Sequence, residues 1–496
     1  MAYGGRPRRG PGPAARPLRG GGPVTRPAHR PQARPGTGRR RRIPADPPPW
    51  QPRPRPSGRP ATALRLAVAA LLAAALVLRP VGVHRVAVLA LTAVFACYLL
   101  RHLVFLAAAL RPAPAAPPPP PDSPPDRPLR VTVLVPCHNE ARVVDGLTTA
   151  LAALDHPRDL LRVVFVDDRS TDGTGDLLER AAADRPGWQV LRRAADAPGG
   201  KSAALNDALA LADGEVVVVF DADHQPTPGC LRELLRPFAD PQIAAVQGRC
   251  VVRNPRDSMV ARLVAVDYLC GYLVNMAGRH RVYGLPAYGG ANCAVRTRLL
   301  RELGGWNVAS VTEDTDLSLR IWLSGHRIGY AEQAVDTELA VTGLSAYYRQ
   351  RYRWARGHQQ VCRDYRAALL RSPHLRLAEK AEAALFLYVF HVPVLCVLAV
   401  LLAGIEVAVP GLPAAGLLWP IAPLMMVGPV LEVGGGLIRA GAGRRDVLPL
   451  LLFPALFAVS MLLCTQALLD AWAGTRYAWV KTERTAHAPN TALDAG

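Results

Sequence analysis

Pairs of aspartates stand directly after short apolar runs, and this arrangement constrains the fold of the chain more than any other feature. Two pairs follow valine-rich runs: Asp167 with Asp168, and Asp221 with Asp223. Short apolar runs bounded by polar residues are typical of buried β-strands. Helical patterns alternate with such runs between residues 130 and 375. This alternation predicts an α/β domain with a parallel, doubly wound sheet, in which ligands bind beyond the carboxyl ends of the strands.

Two further motifs follow in the second half of this segment. Thr312, Glu313 and Asp314 begin a helical pattern, where the helix dipole and free amides favour ionised carboxylates. Helix capping is the alternative interpretation. Residues 350, 353 and 354 are Gln, Arg and Trp, a spacing that puts them on one face of a helix. An ordinary basic helix at a membrane surface is the alternative for these three.

The first sixty residues are dominated by two residue types. They hold fifteen arginines, sixteen prolines, no lysine and one acidic residue, Asp46. Such a segment buries too little apolar surface to offset its ordering entropy, so we expect disorder. Attraction to anionic lipid is favoured over nucleic-acid binding, because only Tyr3 and Trp50 could stack on bases and an apolar block follows directly.

Five apolar blocks approach or exceed the roughly 18–20 residues needed to cross a bilayer. They span residues 61–78, 86–110, 383–405, 415–437 and 447–469. The basic tail predicts a cytoplasmic N-terminus, so two crossings within 61–110 return the chain to the cytoplasm. A proline-rich linker at 111–129 then leads to a cytoplasmic domain at 130–375. Interfacial and transmembrane helices are expected at 376–470, and their number of crossings stays open.

The nine cysteines carry little information about function. They are scattered, with no CxxC pair and no metal-ligand spacing. We expect reduced thiols that face the cytosol or lipid.

Taken in order, the four motifs resemble those of the processive family 2 glycosyltransferases, which make cellulose, hyaluronan, chitin and poly-N-acetylglucosamine. The resemblance covers roughly residues 61–485. It implies a GT-A-type, Rossmann-like doubly wound sheet inserted between N-terminal and C-terminal transmembrane helices of a multi-pass plasma-membrane protein. It also implies an inverting enzyme that transfers sugar from a UDP-sugar to a growing β-linked polysaccharide, with coupled export. A non-processive enzyme that adds one sugar to a lipid or other acceptor is the alternative, which the Gln-x-x-Arg-Trp motif disfavours.

The resemblance also assigns roles to individual residues. Asp314 matches the catalytic base, and Asp221 with Asp223 would hold Mg²⁺ or Mn²⁺, since hard cations prefer carboxylate oxygens. The donor-binding residues would be Pro136, Glu140, Asp167, Asp168, Lys201 and Asp221. The acceptor- and diphosphate-binding residues would be Gly289, Gly290, Glu313, Gln350, Arg353 and Trp354. A turn or a helix cap is the plain alternative for each motif.

A last motif follows the final apolar block, in the tail at 471–496. Trp479, Thr482 and Arg484 match the spacing of the gating loop in cellulose synthases, and an aromatic and basic interface anchor is the equal alternative. The partners implied are a UDP-sugar donor, a polysaccharide acceptor and the lipid bilayer. An accessory export subunit is compatible with the resemblance, and no nucleic acid is expected. The sugar stays open among glucose, mannose and N-acetylglucosamine, with a slight preference for the last.

Overall fold

The computed structural model describes residues 80–111, 128–408, 421–442 and 451–475. Four expected features lie outside these residues: the arginine- and proline-rich tail, the apolar block at 61–78, nearly all of the linker, and the motif of Trp479, Thr482 and Arg484. Within the described residues, one eight-stranded sheet with helices on both faces continues into a set of long apolar helices.

The sheet is mixed, and its strands lie in the order β3-β2-β1-β4-β7-β6-β8-β5. The first four are β1 Val131–Cys137, β2 Leu161–Asp167, β3 Trp188–Arg192 and β4 Val216–Val219. The other four are β5 Gln225–Pro226, β6 Ile243–Val252, β7 Cys293–Arg296 and β8 Arg327–Glu338.

The first four strands run parallel, as the alternation of strands and helices predicts. The central residues of β1, β2 and β4 are fully buried because helices cover both faces, and this explains their valine-rich runs without alternating polar residues. The chain order reverses between β1 and β4. An open α/β sheet forms its ligand crevice at such a switch point, beyond the carboxyl ends of the strands.

The other half of the sheet departs only in part from the predicted parallel arrangement, because β6 and β8 run parallel to each other. Strand β7 runs antiparallel to both β4 and β6, and β5 runs antiparallel to β8. The prediction was wrong here because β7 returns to the centre of the sheet from a long helical excursion. Neighbours so far apart in sequence leave no local pattern that sets their direction.

Fourteen α-helices flank or follow the sheet within the described residues. Those up to β7 are α1 Pro80–Leu110, α2 Val144–Ala152, α3 Thr174–Ala183, α4 Lys201–Leu209, α5 Cys230–Leu235, α6 Met259–Cys270 and α7 Ala277–Tyr283. The later ones are α8 Thr297–Glu302, α9 Glu313–Leu323, α10 Leu344–Arg371, α11 Leu377–Leu387, α12 Val392–Ala408, α13 Ile421–Arg439 and α14 Phe453–Trp472.

Four helical segments in the described part are long and apolar enough to cross a membrane. They span Val81–Leu110, Met259–Tyr283, Val389–Ala408 and Phe453–Trp472. The second lies inside the segment that we expected to be wholly soluble. Helix α13, which covers most of the predicted block at 415–437, is not among the four and contains Pro429.

A buried ionic triad joins the first apolar helix to the sheet domain. Glu382 on α11 accepts hydrogen bonds from Arg101 Nε at 3.0 Å and from Arg279 Nε at 2.8 Å. Both guanidinium groups also lie over aromatic rings, Arg101 over Phe105 and Arg279 over Phe386. Removing one partner of a buried ion pair costs about 3–5 kcal/mol, so this triad holds α1 firmly against α7 and α11.

Candidate active site

The aspartates after β4 lie in a tight turn. The strand ends at Val219, and the His224 N–H donates to the Asp221 carbonyl oxygen at 3.0 Å. Asp221 is partly exposed, and its Oδ1 lies 2.6 Å from Lys201 Nζ. Asp223 is buried, and its Oδ2 accepts the Leu339 N–H at 3.3 Å. The two carboxylates therefore differ in environment, because Asp221 pairs with a lysine whereas Asp223 accepts a backbone N–H.

Lys201 brings three of the sequence motifs together. Its Nζ lies 2.6 Å from Asp221 Oδ1, 3.0 Å from the Gly290 carbonyl oxygen and 3.7 Å from Glu313 Oε1. Burial lowers the pKa of the Lys201 amine, but Asp221 and Glu313 outweigh burial and the pKa lies above its usual range. Lys201 therefore stays protonated, and its ammonium group is surrounded by three oxygen atoms.

Asp314 lies in the first turn of α9, beside these oxygen atoms. Its Oδ1 accepts the Thr315 N–H at 2.6 Å. A Cβ atom added to Gly290 would lie 3.3 Å from Asp314 Oδ2, so the backbone of the small-residue loop at 288–292 approaches the carboxylate closely. Burial, with the Glu313 carboxylate next in effect, raises the pKa of Asp314 to about 6 against the opposing Thr315 N–H, Lys201 and Arg353. Such a pKa suits a general base near neutral pH.

The pair after β2 has a different environment. Asp168 Oδ1 accepts hydrogen bonds from Arg193 Nη1 at 2.6 Å and Arg169 Nε at 2.9 Å. Burial raises the pKa of Asp168, but these two arginines and the Gly200 N–H outweigh it, so the net pKa lies below the usual range. Asp167 Oδ1 accepts the Ser170 N–H at 3.1 Å. The sequence offered no sign of Arg193, because it follows Asp168 by 25 residues and belongs to no motif.

The loop after β1 is held against the loop after β2. The Glu140 N–H donates to Thr174 Oγ1 at 2.8 Å. Asn139 adopts a positive φ of 53° and its Oδ1 accepts the Thr171 N–H at 2.7 Å, so Asn139 does not cap α2, which begins at Val144. Pro136 is next to last in β1, paired with Val166. Donor-binding candidates from both loops therefore stand at one edge of the sheet.

The helix with Gln350, Arg353 and Trp354 packs across the start of α9. A Cβ atom added to Gly357 would lie 2.3 Å from Thr312 Cγ2, so only glycine allows this approach. Gln350 is buried, whereas Arg353 and Trp354 are partly exposed, and Arg353 is close enough to lower the pKa of Asp314. The guanidinium of Arg351 lies 4.3 Å from the centre of the Trp354 ring.

His224 forms a buried network that the sequence analysis missed. Its Nδ1 contacts Asp336 Oδ2, and its Nε2 lies 3.0 Å from Glu338 Oε2. Burial lowers the pKa of His224, but the two carboxylates outweigh burial and raise it to about 10. Ligand atoms of His224, Cys250 and Glu338 lie within 4.8 Å of one another. Because both ring nitrogens already contact carboxylates, we interpret this group as an ion-pair network that holds the turn of Asp221 and Asp223.

Residues 127–357 match the family model described as "Glycosyltransferase like family 2". The chain contains a glycosyltransferase family 2 domain. This domain carries all the donor, acceptor, metal and base candidates, and the motif of Trp479, Thr482 and Arg484 lies beyond it.

The curated relatives that share this domain include glycolipid synthases and polysaccharide synthases. The "Probable glycosyltransferase YdaM" of Bacillus subtilis is 31% identical over 50% of this chain and 60% of its own length. The "Beta-monoglucosyldiacylglycerol synthase" of Synechocystis is 35% identical over 48% of this chain and 49% of its own length. A "Cellulose synthase catalytic subunit [UDP-forming]" of Pseudomonas fluorescens is 32% identical over 47% of this chain and 31% of its own length. The chain thus spans about half the length, or less, of most of these relatives.

A solved structure extends the similarity beyond the family 2 domain. The mannosyltransferase PcManGT from Pyrobaculum calidifontis, in complex with GDP-Man and Mn²⁺, superposes with a TM-score of 0.57 at 25% identity. The match covers 79% of this chain and 100% of PcManGT. The chain therefore has the GT-A-like α/β fold that the sequence motifs predicted.

Proposed function

We propose that the protein is a membrane-bound inverting glycosyltransferase that takes its sugar from a nucleoside-diphosphate sugar, with UDP as the expected nucleotide. The observation that carries the proposal is the junction at Lys201, whose ammonium contacts Asp221, the Gly290 carbonyl oxygen and Glu313. This junction stands next to Asp314, whose pKa of about 6 suits a base.

Asp314 would act as the base in a single displacement. Its Oδ2 takes the proton from the acceptor hydroxyl as the acceptor oxygen bonds to the anomeric carbon of the sugar. The bond from that carbon to the diphosphate breaks, and the nucleoside diphosphate leaves with both bonding electrons. Attack opposite the leaving group inverts the anomeric configuration, so an α-linked donor gives a β-linked product.

The donor would lie along the edge formed by the loops after β1 and β2. Lys201 opens α4, so its ammonium and the free amides of that helix end favour a diphosphate. Asp168 is held ionised by Arg169 and Arg193 and can accept hydrogen bonds from the base or ribose. Arg353 offers a further positive charge on the side of Asp314.

Asp221 and Asp223 would hold a divalent cation, Mg²⁺ or Mn²⁺. Their oxygen donors fit such an ion, and Asp221 Oδ1 already contacts a cation here, the Lys201 ammonium. When bound, the metal would supply positive charge that offsets the charge developing on the leaving diphosphate. The Mn²⁺ in the PcManGT complex supports this assignment.

The product would be a β-linked polysaccharide passed out through the bilayer, because Gln350, Arg353 and Trp354 carry the motif of the processive synthases and cellulose synthases are among the relatives. A second product has its own support. The relatives named as monoglucosyldiacylglycerol synthases, up to 35% identical, favour transfer of one sugar to a lipid. In both cases the catalytic domain would face the cytoplasm, where nucleotide sugars occur.

The test uses membranes that contain the full-length protein. They are incubated with Mg²⁺ or Mn²⁺ and with radiolabelled UDP-glucose, UDP-N-acetylglucosamine or GDP-mannose, beside the Asp314→Asn variant. We expect label from one donor in the wild-type product and none in the variant. High-molecular-weight product would support the polymer, and label that extracts into organic solvent as a single lipid species would support the glycolipid. Undiminished transfer by Asp314→Asn would rule out the proposed base.

A further inference from the structure

His358 lies on α10, one helical turn beyond Trp354, and it contacts the start of α9. Its Nε2 lies 3.1 Å from Thr315 Oγ1. The N–H and hydroxyl of Thr315 both reach Asp314 Oδ1, at 2.6 Å and 3.3 Å. A continuous hydrogen-bonded path therefore runs from the His358 ring through the Thr315 hydroxyl to one oxygen of Asp314.

The direction of the protons along this path follows from what is left without a partner. Within the described residues, His358 Nδ1 is buried and has no hydrogen-bond partner. A buried N–H without an acceptor is rarer in proteins than a buried acceptor without a donor. The proton of the neutral ring therefore belongs on Nε2, which donates to Thr315 Oγ1. The single hydroxyl proton of Thr315 is then available to Asp314 Oδ1.

The surroundings keep the His358 ring neutral. Burial lowers the pKa of His358 to about 3, with Arg279 and His391 adding to the effect. The rings of Phe386 and Phe390 flank the imidazole, with centroids 5.5 Å and 4.6 Å away. His358 therefore does not change charge at working pH, and any pH effect of replacing it comes through Asp314.

We propose that His358 is a positioning residue for the reaction: it orients the Thr315 hydroxyl toward Asp314 Oδ1 and so leaves Asp314 Oδ2 to take the proton from the acceptor. The inference rests on the proposed role of Asp314 as the base. Asp314 Oδ2 is the oxygen that closely approaches Gly290, on the loop expected to face the acceptor sugar. The charged groups around Asp314 are Lys201, Glu313 and Arg353, and they are unchanged in every His358 variant.

Two pairs of substitutions test the path from both ends. His358→Leu removes the donor, whereas His358→Gln keeps an N–H at a similar reach. Thr315→Val removes the hydroxyl at constant shape, whereas Thr315→Ser keeps it. His156→Leu is the matched control, because His156 follows α2, at the opposite end of β2 from the site, and its Nε2 contacts the Leu129 carbonyl oxygen at 3.0 Å.

The full-length protein is assayed with the donor among UDP-glucose, UDP-N-acetylglucosamine and GDP-mannose that gives the fastest nucleotide release. We expect His358→Leu and Thr315→Val each to lower kcat about 10-fold, with KM for the donor unchanged. Loss of a hydrogen bond to the carboxylate should move the acid limb of the kcat profile up by about one pH unit. His358→Gln, Thr315→Ser and His156→Leu should stay within about threefold of wild type, and the double variant should lose no more than either single variant.

Equal losses in His358→Leu and His358→Gln, an unmoved acid limb, or losses that multiply in the double variant would each overturn the proposal. If His358→Leu does not fold, as judged by its melting temperature, the Thr315 pair decides alone. Failure of the base assignment is distinguishable, because Asp314→Asn would then retain transfer whatever the His358 variants do.

Discussion

Asp168 and Asp314 are both mainly buried carboxylates at the same edge of the sheet, yet their surroundings push their pKa values in opposite directions. Asp168 lies between two arginines, so its pKa falls below the usual range despite burial. Asp314 lies beside Glu313 and accepts hydrogen bonds from the neutral N–H and hydroxyl of Thr315, so burial raises its pKa to about 6. The first can serve only as a fixed negative charge or hydrogen-bond acceptor, and the second can take up a proton. Opposite environments therefore suit one aspartate to the proposed donor-binding role and the other to the proposed role of base.

The largest effect should come from removing the proposed base. Asp314→Asn keeps the shape of the side chain but cannot take the acceptor proton, so kcat should fall about 10²–10⁴-fold. UDP affinity, measured by calorimetry, should stay within about threefold, because the donor side is untouched. Asp176→Asn, at an exposed position of α3, is the control and should leave kcat unchanged. Equal losses of kcat in the two variants would contradict the proposed role of Asp314 as the base.

The donor side should fail through stability and affinity. Arg193→Leu leaves Asp168 buried with one arginine fewer, which should cost about 3–5 kcal/mol of unfolding free energy. The neighbouring Arg192 makes only exposed ion pairs, with Asp176 and Glu179, so Arg192→Leu should cost about 0–1 kcal/mol. Thermal unfolding and UDP binding measure both effects. If Arg192→Leu lowered the unfolding free energy more than Arg193→Leu, the buried pair of Arg193 with Asp168 would not be the main source of stability at this position.

The two carboxylates should also separate by pH. A general base works when deprotonated, so kcat should rise about tenfold per pH unit below the Asp314 pKa of about 6 and level off above it. UDP affinity should stay flat over the same range, because Asp168 ionises below its ordinary pKa and remains charged. Kinetics and UDP titrations between pH 5 and pH 8 check this. A UDP affinity that fell together with kcat near pH 6 would contradict the difference in pKa between Asp168 and Asp314.

The smallest effect should come from the loop that approaches the base. Gly290→Ala adds a Cβ atom 3.3 Å from Asp314 and strains a backbone with φ of 80°, so we expect about 1–2 kcal/mol of lost stability and a several-fold lower kcat. Gly304 has the same φ of 80° with nothing within 4 Å of the added Cβ. Gly304→Ala should show the strain without the loss of kcat. Melting temperature and turnover of the two variants separate these contributions.

Much of the fold and site could be predicted because the signals are local. Valine-rich runs followed by aspartates indicated β2 and β4, and the helix at Glu313 begins where its motif predicted. Asp221, Glu313 and Gly290 are candidates from three separate motifs, and all three contact Lys201, a fourth candidate. Residues without a local pattern were missed: Arg193, His224 with its two carboxylates, and His358 gain their meaning only from partners 25 to 114 residues away.

The sequence by itself determined the α/β class, the parallel strands β1 to β4 and the family 2 motifs, because each depends on residues close together in the chain. Only the tertiary structure decided the antiparallel direction of β5 and β7, the apolar helix at Met259–Tyr283 within the catalytic domain, and the opposite pKa shifts of Asp168 and Asp314. The physical reason is that strand direction, burial and pKa depend on neighbours in space. A carboxylate becomes a fixed charge or a base according to whether the folded chain places arginines or another carboxylate beside it.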